Sequence, residues 1–393
     1  MSSERKVIVG NCPGSIAGLQ LEFGAVIERA VEISCSLSTD TFLAPGFVDI
    51  QVNGFAGVDY NNPDIGNEAI LASIRKMFQT GVTKFFPTLI TAPKERIIGA
   101  LRRLTDAKRE FQRNGLVDAQ AIAGFHIEGP HISAEDGPRG AHSRQYVRPP
   151  DIEEFREWQE AAEGEIKLVT LSPEYATAPA YISRLVQAGV VASIGHTRAN
   201  ADQIKAAVGA GATMSTHLGN GAHSVLPKTL NYIWEQLAED RLTASLIADG
   251  IHLPEAFLRS VLRAKGVDRS ILVTDAVMPA MCKPGTYSLG AIQVELLPDG
   301  RVVLLGATRL AGSGLTMERA IETCVRLGAV TLGDAIRMAS INPAIAARIS
   351  ARGKGLVAGE IADIVRIHWD DRLQALHVVE TIVAGESVYR ARD

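Results

Sequence analysis

The stretch GFVDIQVN, residues 46–53, begins as an apolar run and ends in polar residues. Its apolar residues suit a buried strand. Asp49, Gln51 and Asn53 alternate with them, so these three hydrogen-bonding side chains share one face of that strand. Three polar side chains on one face of a core-facing strand indicate a role in hydrogen bonding or function in addition to packing.

The same pattern recurs along the chain: a short apolar run stops at a polar residue and an amphipathic helical segment follows. It occurs at residues 46–53, 84–90, 122–129, 166–174, 190–197, 213–220, 244–250 and 271–276. Eight strand–helix units in succession predict a parallel (β/α)8 barrel of the TIM type. Functional groups of such barrels sit at the carboxyl ends of the strands, and the polar residues at those ends are Gln51, Asn53, His126, Glu128, Glu174, His196, His217, Asp249 and Asp275.

The segments on either side of the barrel have a different pattern. Residues 1–45 and 355–393 read as short alternating strands with turns, and residues 314–350 read as helical. We therefore expect a small β-sandwich domain built from both termini, and a catalytic barrel domain over residues 46–354 with a short β insertion at about 285–305.

Composition excludes several classes of protein. The 393 residues carry a formal net charge of −4 with both signs interspersed, so no basic face for nucleic acid is expected. No apolar run reaches the roughly 20 residues of a membrane span, and the first residues lack the apolar core of a signal peptide. Scattered cysteines favour reduced thiols and a cytoplasmic protein; they are Cys12, Cys35, Cys282 and Cys324.

Glu128, His196 and His217 end the third, fifth and sixth predicted strands. One histidine on an apolar strand is more often a core residue than a ligand, but several at the same barrel end favour a metal. A carboxylate with two imidazoles is a donor set of catalytic zinc or iron sites. Asp275 closes the eighth strand, where it either accepts a proton from metal-activated water or caps the next helix.

Loops after the strands supply further candidates. His142 and His252 either meet a substrate or have no role, and Asn220 with Gly221 either offers polar groups to a ligand or makes a turn. The segment LAGSGLTM, residues 310–317, reads as a Gly-rich loop that runs into a helix and suits an anion or a sugar hydroxyl.

Nine motifs together resemble one family. APGFVDIQVNG, FFPTLIT, FHIEGPHIS, GAH, SIGHT, THLGN, IADGIHL, LVTDA and AGSGLTM are similar, in order and spacing, to those of the N-acetylglucosamine-6-phosphate deacetylases of the amidohydrolase superfamily. Most amidohydrolases end the first strand in His-x-His, which binds one metal of a pair. Here Gln51 and Asn53 stand in those places, so the resemblance implies a single-metal centre. Gln51 is then expected to hydrogen-bond metal-bound water and Asn53 to brace loops, while Asp49 makes a structural hydrogen bond.

The resemblance also implies a reaction. It is the removal of the N-acetyl group from N-acetylglucosamine 6-phosphate, with one divalent ion per chain, zinc or iron(II), on Glu128, His196 and His217, and no organic cofactor. Asp275 is then the proton acceptor and His142 stabilises the oxyanion. The sugar phosphate is gripped by Asn220, Gly221, His252, Ala311, Gly312, Ser313 and a basic residue of a second subunit, which implies a homodimer.

The loop HSVLPKTLNYIW departs from the family, because Lys228 stands where many relatives have Arg. Lysine offers a point charge to a phosphate but not a bidentate fork. One alternative is therefore a deacetylase for another N-acyl sugar, either unphosphorylated or an epimer such as N-acetylgalactosamine 6-phosphate. An inactive sugar-phosphate-binding barrel and a binuclear hydrolase are further alternatives, and the latter needs ligands that Gln51 and Asn53 do not readily supply.

Overall fold

The computed structural model describes residues 5–15, 17–34, 41–289, 292–328 and 330–392, so Cys35 lies outside the described residues. The chain opens with four strands: β1 (Lys6–Asn11), β2 (Gly18–Phe23), β3 (Ile27–Ile33) and β4 (Thr41–Pro45). β2 pairs antiparallel with β1 and β3, and β4 runs parallel to β1. Within the described ranges, no helix has the length and apolar character that crossing a bilayer requires.

Strands and helices then alternate. In chain order they are β5 (Phe47–Val52), β6 (Gly54–Phe55), β7 (Val58–Asp59), α1 (Asn67–Phe78), β8 (Val82–Ile90), α2 (Lys94–Arg113), β9 (Phe125–Glu128), α3 (Ile152–Ala161), β10 (Ile166–Leu171), α4 (Ala178–Gln187), β11 (Val191–Ile194), α5 (Ala201–Gly209), β12 (Met214–Ser215), α6 (Tyr232–Ala238), β13 (Thr243–Leu246), α7 (Glu255–Lys265) and β14 (Ser270–Leu272). Short 3-10 turns lie at Val117–Ala121, Arg144–Tyr146 and Val267–Arg269.

Eight of these strands form one parallel sheet in the order β5, β8, β9, β10, β11, β12, β13, β14. The sheet closes on itself beyond β5 and β14, since Val52 bridges Ala276 and the Asp275 N–H donates to the Gln51 carbonyl at 3.0 Å. The predicted barrel is confirmed, and each of the eight apolar runs overlaps one of its strands.

The barrel helices follow from local sequence. Their apolar residues recur at helical spacing, as with Ile70, Ile74 and Met77 of α1, which are buried against the strands. Side-chain caps fix several starts: Asp151 accepts from backbone N–H groups at the start of α3, and Asn200 forms a capping box with Gln203 at the start of α5.

An antiparallel sheet of β15 (Gly285–Leu289), β16 (Ile292–Leu296), β17 (Arg301–Leu304) and β18 (Leu310–Ser313) follows the barrel strands. We call it the insertion sheet. Reading residues 310–313 as a loop was wrong, because this segment pairs with β17 and Ser313 bridges Ala276 of the barrel. These distant pairing partners are not visible in a local Gly-rich pattern. The helices α8 (Met317–Gly328), α9 (Leu332–Ala339) and α10 (Ile341–Ala346) complete the barrel side of the chain.

The last strands, β19 (Ile364–Asp370), β20 (Ala375–Val383) and β21 (Glu386–Arg390), join the first four. The resulting sheet has the order β21, β20, β19, β4, β1, β2, β3, so both termini contribute to it as expected. The division of the chain into domains at residues 45 and 355 stays a prediction.

A buried group of charges connects this terminal sheet to the amino end of the barrel. Asp363 lies 3.2 Å from the Lys84 Nζ atom of β8 and 3.3 Å from the Arg352 Nε atom, and all three side chains are almost fully buried. Arg352 also donates to the Gly46 carbonyl at 2.6 Å, and the Ala384 N–H donates to Asp363 at 2.8 Å. This buried carboxylate is therefore paired with two basic side chains.

Candidate active site

Glu128, His196 and His217 meet at the opposite, carboxyl end of the barrel, as predicted. Glu128 Oε1 lies 2.8 Å from His217 Nε2 and 3.2 Å from His196 Nε2, and the two imidazole nitrogens lie 3.1 Å apart. One ligand atom from each side chain falls within 4.8 Å of the others, and all three residues are buried.

The backbone at the ends of the strands aims these side chains. Glu128 is the last residue of β9, whereas His196 and His217 follow β11 and β12 by two residues. His196, His217 and Asp275 have φ angles of 48°, 29° and 51°. Non-glycine residues rarely adopt this left-handed region, and strain of this kind concentrates at functional sites.

The hydrogen bonding of the imidazoles fits a cation. The Nδ1 atom of His196 donates to the Pro138 carbonyl at 2.8 Å, so the neutral ring directs an Nε2 lone pair at Glu128 and His217. His217 Nδ1 is buried without a partner among the described residues. Two imidazole nitrogens and one carboxylate oxygen that face one point form a donor set that suits a divalent metal.

The polar residues of the first strand connect this cluster to Asp275. The Gln51 amide donates to Glu128 at 2.9 Å and to Asp275 at 3.1 Å, and the Asn53 amide donates to the same Asp275 oxygen at 2.7 Å. Burial and the neighbouring Glu128 carboxylate raise the pKa of Asp275 to about 6. Gln51 and Asn53 therefore hold the carboxylate of Asp275 in a fixed orientation.

Asp49, the third polar residue of the segment, makes no hydrogen bond to Glu128 or Asp275. It accepts a hydrogen bond from the Thr274 hydroxyl at 2.5 Å and others from the backbone N–H groups of Thr274 and Gln51. Burial raises the pKa of this carboxyl to about 7 although the hydrogen bonds oppose the shift. Asp49 thus joins the first barrel strand to the residue that precedes Asp275, the structural contact expected from the sequence.

His142 lies beside the cluster. Its ring packs edge-on against His196 with centroids 4.5 Å apart, and its Nε2 atom is 4.0 Å from Glu128. Burial lowers the pKa of His142 to about 3, so the imidazole is neutral. Its Nδ1 atom is 2.8 Å from the Thr91 hydroxyl, and when that hydroxyl donates, Nε2 carries the hydrogen.

A cavity of about 430 Å³ opens above these residues. Predicted residues that line it are Glu128, His142, His196, His217, Asn220, Gly221, His252, Asp275, Ala311 and Gly312. The Nδ1 atom of His252 lies 2.6 Å from an Asp249 oxygen, which orients this ring. The cavity therefore brings together side chains from loops far apart in sequence.

Three predicted substrate contacts lie outside the cavity wall. Gln51 is held beneath it by Glu128 and Asp275, as described above. The Ser313 hydroxyl donates to the Thr274 carbonyl at 2.5 Å, so it supports the wall from behind. Lys228 is exposed on its loop and does not line the cavity of its own chain.

Some polar residues at strand ends have other partners. His126 lies deeper in the barrel, where its Nε2 atom is 2.8 Å from the Thr170 hydroxyl, and Glu174 accepts from Ser172 at 2.8 Å. His131 stacks on Trp158, and His223 contacts Tyr232. These residues are structural. The sequence argument missed other residues that line the cavity, among them Asn61, Arg96 and Tyr146.

The model of the amidohydrolase family matches residues 42–388. The chain therefore belongs to the amidohydrolase family, as its barrel and its carboxylate–imidazole cluster indicate.

Within that family, the resemblance to N-acetylglucosamine-6-phosphate deacetylases is confirmed. The enzyme of that name from Lysinibacillus sphaericus is 33% identical over 344 residues, which cover 88% of this chain and 84% of the relative. The one from Danio rerio is 34% identical, with 88% and 84% covered. A solved Mycobacterium smegmatis variant in complex with N-acetyl-D-glucosamine-6-phosphate superposes with a TM-score of 0.85 at 29% identity, covering 98% of this chain and 100% of the other.

Proposed function

We propose that this protein hydrolyses the N-acetyl group of N-acetylglucosamine 6-phosphate, giving glucosamine 6-phosphate and acetate. The observation that carries the proposal is the cluster of Glu128, His196 and His217, with ligand atoms within 4.8 Å, connected to Asp275 through the Gln51 amide. The family relatives supply the substrate class.

Glu128, His196 and His217 would hold one divalent ion, for which this donor set suits zinc. Bound there, the ion supplies a Lewis acid and lowers the pKa of water. Gln51 and Asn53 use their amides on Glu128 and Asp275, so the place of a second metal has no strong ligand. We therefore expect one ion per chain.

The side chains around the ion divide the proton transfers. Asp275, oriented by Gln51 and Asn53, accepts the proton of the attacking water and then delivers it to the leaving amine nitrogen. His142 donates from Nε2 to the acetamido oxygen as negative charge develops, because its Nδ1 atom is engaged by Thr91.

The sugar end of the substrate meets the cavity wall formed by Asn220, Gly221, His252, Ala311 and Gly312. Asn220 and the backbone of residues 311–312 offer neutral hydrogen bonds to hydroxyl groups. His252, fixed by Asp249, faces the same space. Ser313 acts indirectly, since its hydroxyl ties the wall to Thr274.

A homodimer in which Lys228 reaches the neighbouring cavity is part of the proposal. Exposed apolar side chains surround Lys228: Val225 is 84% exposed, Leu230 80% and Trp234 52%. Neighbouring apolar side chains this exposed are typical of a protein interface. A cytoplasmic location is supported by the free thiols of Cys12, Cys282 and Cys324.

Acetate release from N-acetylglucosamine 6-phosphate and from N-acetylglucosamine tests the function, with zinc-loaded enzyme and Asp275→Asn as the blank. We expect kcat/KM to favour the phosphorylated sugar by a hundredfold or more, about 2.7 kcal/mol. Equal activity on both sugars, or activity only on N-acetylgalactosamine 6-phosphate, would instead indicate the other N-acyl sugar class. No release despite bound metal would exclude deacetylation.

Mixing two variants tests the role of Lys228 across subunits. Asp275→Asn lacks the proton acceptor and Lys228→Glu reverses the loop charge. After mixing and subunit exchange, a mixed dimer contains one cavity with both native residues, so activity should recover to about a quarter of the native value. No recovery in a preparation shown to contain mixed dimers contradicts a contribution from the partner.

A further inference from the structure

The cavity wall formed by the loop after β8 and the first turn of α2 carries a cation that the proposed mechanism does not use. We propose that Arg96 binds the phosphate of the substrate within its own chain and so determines the preference for a phosphorylated sugar. The inference rests on the proposed function and names the residue that confers this specificity.

Arg96 is placed to meet a ligand. It lies in the first turn of α2 and lines the cavity, and its Nε atom donates to the Asn61 carbonyl at 3.3 Å. No carboxylate of the described residues lies within 4.0 Å of its guanidinium, and neither Nη group has a hydrogen-bond partner there. The two Nη groups are therefore available to an anion.

The position of Arg96 is also unfavourable in the absence of an anion. The first turn of a helix favours negative charge, so a cation there is opposed by the helix dipole. Lys94 lies in the same turn but pairs with Glu157 at 2.6 Å. Arg96 has no ion pair among the described residues, and Glu95 is the acidic residue of this turn, so an anionic ligand would offset the repulsion between Arg96 and the helix dipole.

The carboxylates of Asp59, Glu128 and Asp275 line the cavity, so a phosphate bound in it needs a neighbouring cation. Among the described residues that line it, Arg96 is the only arginine and there is no lysine. Lys228 is exposed outside, so it reaches a cavity only from a neighbouring chain. A guanidinium offers two parallel N–H donors to phosphate oxygens, a geometry that the lysine ammonium lacks.

A structural role for Arg96 must be distinguished from this one. The Asn61 amide donates to the Asn53 carbonyl at 3.3 Å and to the Thr88 carbonyl at 3.0 Å, and Asn53 in turn holds Asp275. Removing Arg96 could therefore disturb the proton acceptor. That disturbance lowers kcat on every substrate, whereas loss of a phosphate contact raises KM for the phosphorylated sugar.

The test measures kcat and KM of zinc-loaded Arg96→Gln on N-acetylglucosamine 6-phosphate and on N-acetylglucosamine. Arg102→Gln is the matched control, because Arg102 is an exposed arginine of the same helix outside the cavity. We expect KM for the phosphorylated sugar to rise about 10- to 100-fold, as for a charged hydrogen bond. kcat should stay within about threefold, kcat/KM for the unphosphorylated sugar should stay unchanged, and Arg96→Lys should retain part of the affinity.

Three results would overturn the inference: an unchanged KM for the phosphorylated sugar, a fall in kcat alone, or equal losses on both sugars. If the native enzyme does not measurably hydrolyse the unphosphorylated sugar, the division between KM and kcat decides. Failure of the proposed function is distinct from these results, because the native enzyme would then release acetate from neither sugar.

Discussion

The two ends of the barrel each bury a carboxylate, but they compensate its charge in different ways. At the amino end, Asp363 lies between the buried basic side chains of Lys84 and Arg352. At the carboxyl end, Glu128 faces two imidazoles and the Gln51 amide, and it has no lysine or arginine partner among the described ion pairs. A buried carboxylate paired with lysine and arginine connects parts of a fold, whereas one surrounded by imidazoles and an amide is suited to bind a divalent cation.

Asp49 lies between these two ends, on β5, and represents a third case. It has neither a lysine or arginine partner in the described ion pairs nor a position in the cavity wall, and burial raises its pKa to about 7. Hydrogen bonds from Thr274 and Gln51 replace the missing cation.

The largest expected effect is at the carboxyl end. Asp275→Asn should lower kcat by about 10²- to 10⁴-fold, the range for removal of a general base, because the isosteric amide cannot accept the proton. The urea midpoint should stay near that of the native protein, since Asn keeps an oxygen for Gln51 and Asn53. Steady-state kinetics and urea unfolding check the two expectations, and a variant that retains native kcat would remove Asp275 from the chemistry.

The amino end should show the opposite behaviour. Asp363→Asn leaves Lys84 and Arg352 buried without a counter-charge, which costs on the order of 3–5 kcal/mol of unfolding free energy. The activity per folded molecule should stay within about twofold. Urea unfolding measures the loss, and Glu157→Gln, which breaks the exposed pair with Lys94, is the control, with an expected change below about 1 kcal/mol. Similar losses in both variants would show that burial of Asp363 carries no special cost.

Zinc should stabilise the protein only through the carboxyl end. At a free zinc concentration about a hundred times its Kd, the unfolding free energy of the metal-free protein should rise by about 2.7 kcal/mol. Asp363→Asn should show the same increase and Glu128→Gln a much smaller one. Elemental analysis should give one ion per chain, and two ions would favour a binuclear centre.

The smallest expected effect concerns Asp49. Because its pKa is raised when folded, the protonated form is the favoured one, and its stabilising contribution is complete below the unfolded pKa and is lost as pH rises through about 7. Between pH 5 and pH 8 the native protein should lose on the order of 2 kcal/mol relative to Asp49→Asn. Urea unfolding of both metal-free proteins at these pH values measures the difference, and parallel profiles would mean that Asp49 is ionised throughout.

Much of the site could be predicted because a barrel converts sequence order into spatial order. Each strand end contributes to one ring, so Glu128, His196 and His217 were brought together by counting strands. The sequence indicates less well how far below the barrel mouth a side chain lies. His126 precedes Glu128 by two residues and shares its face, yet it lies one pleat lower and contacts Thr170. The polar residues near strand ends therefore include both residues of the cavity wall and residues of the core beneath it.

Two further differences between the sequence-based prediction and the structure, at Ser313 and at Arg96, have physical causes. Ser313 belongs to a strand because β17 and Ala276 supply partners from distant segments. Arg96 left a weak local signal, since Lys94 and Arg96 flank the acidic Glu95 in the first turn of α2, where helix starts prefer acidic residues. Such contradictions concentrate at functional sites, so this one could have identified the residue.

The hydrogen bond between Gln51 and Asp275 has a consequence for how the enzyme is synthesised. It joins positions 224 residues apart, because the first and last barrel strands meet there. A nascent chain in which Asp275 is still inside the ribosome already contains the proposed metal ligands, Glu128, His196 and His217, but lacks the proposed proton acceptor. With the proposed roles, we expect catalysis to begin only when the barrel closes, because contacts of such long range form late and slowly. The rate at which activity recovers during refolding would then report the rate of barrel closure.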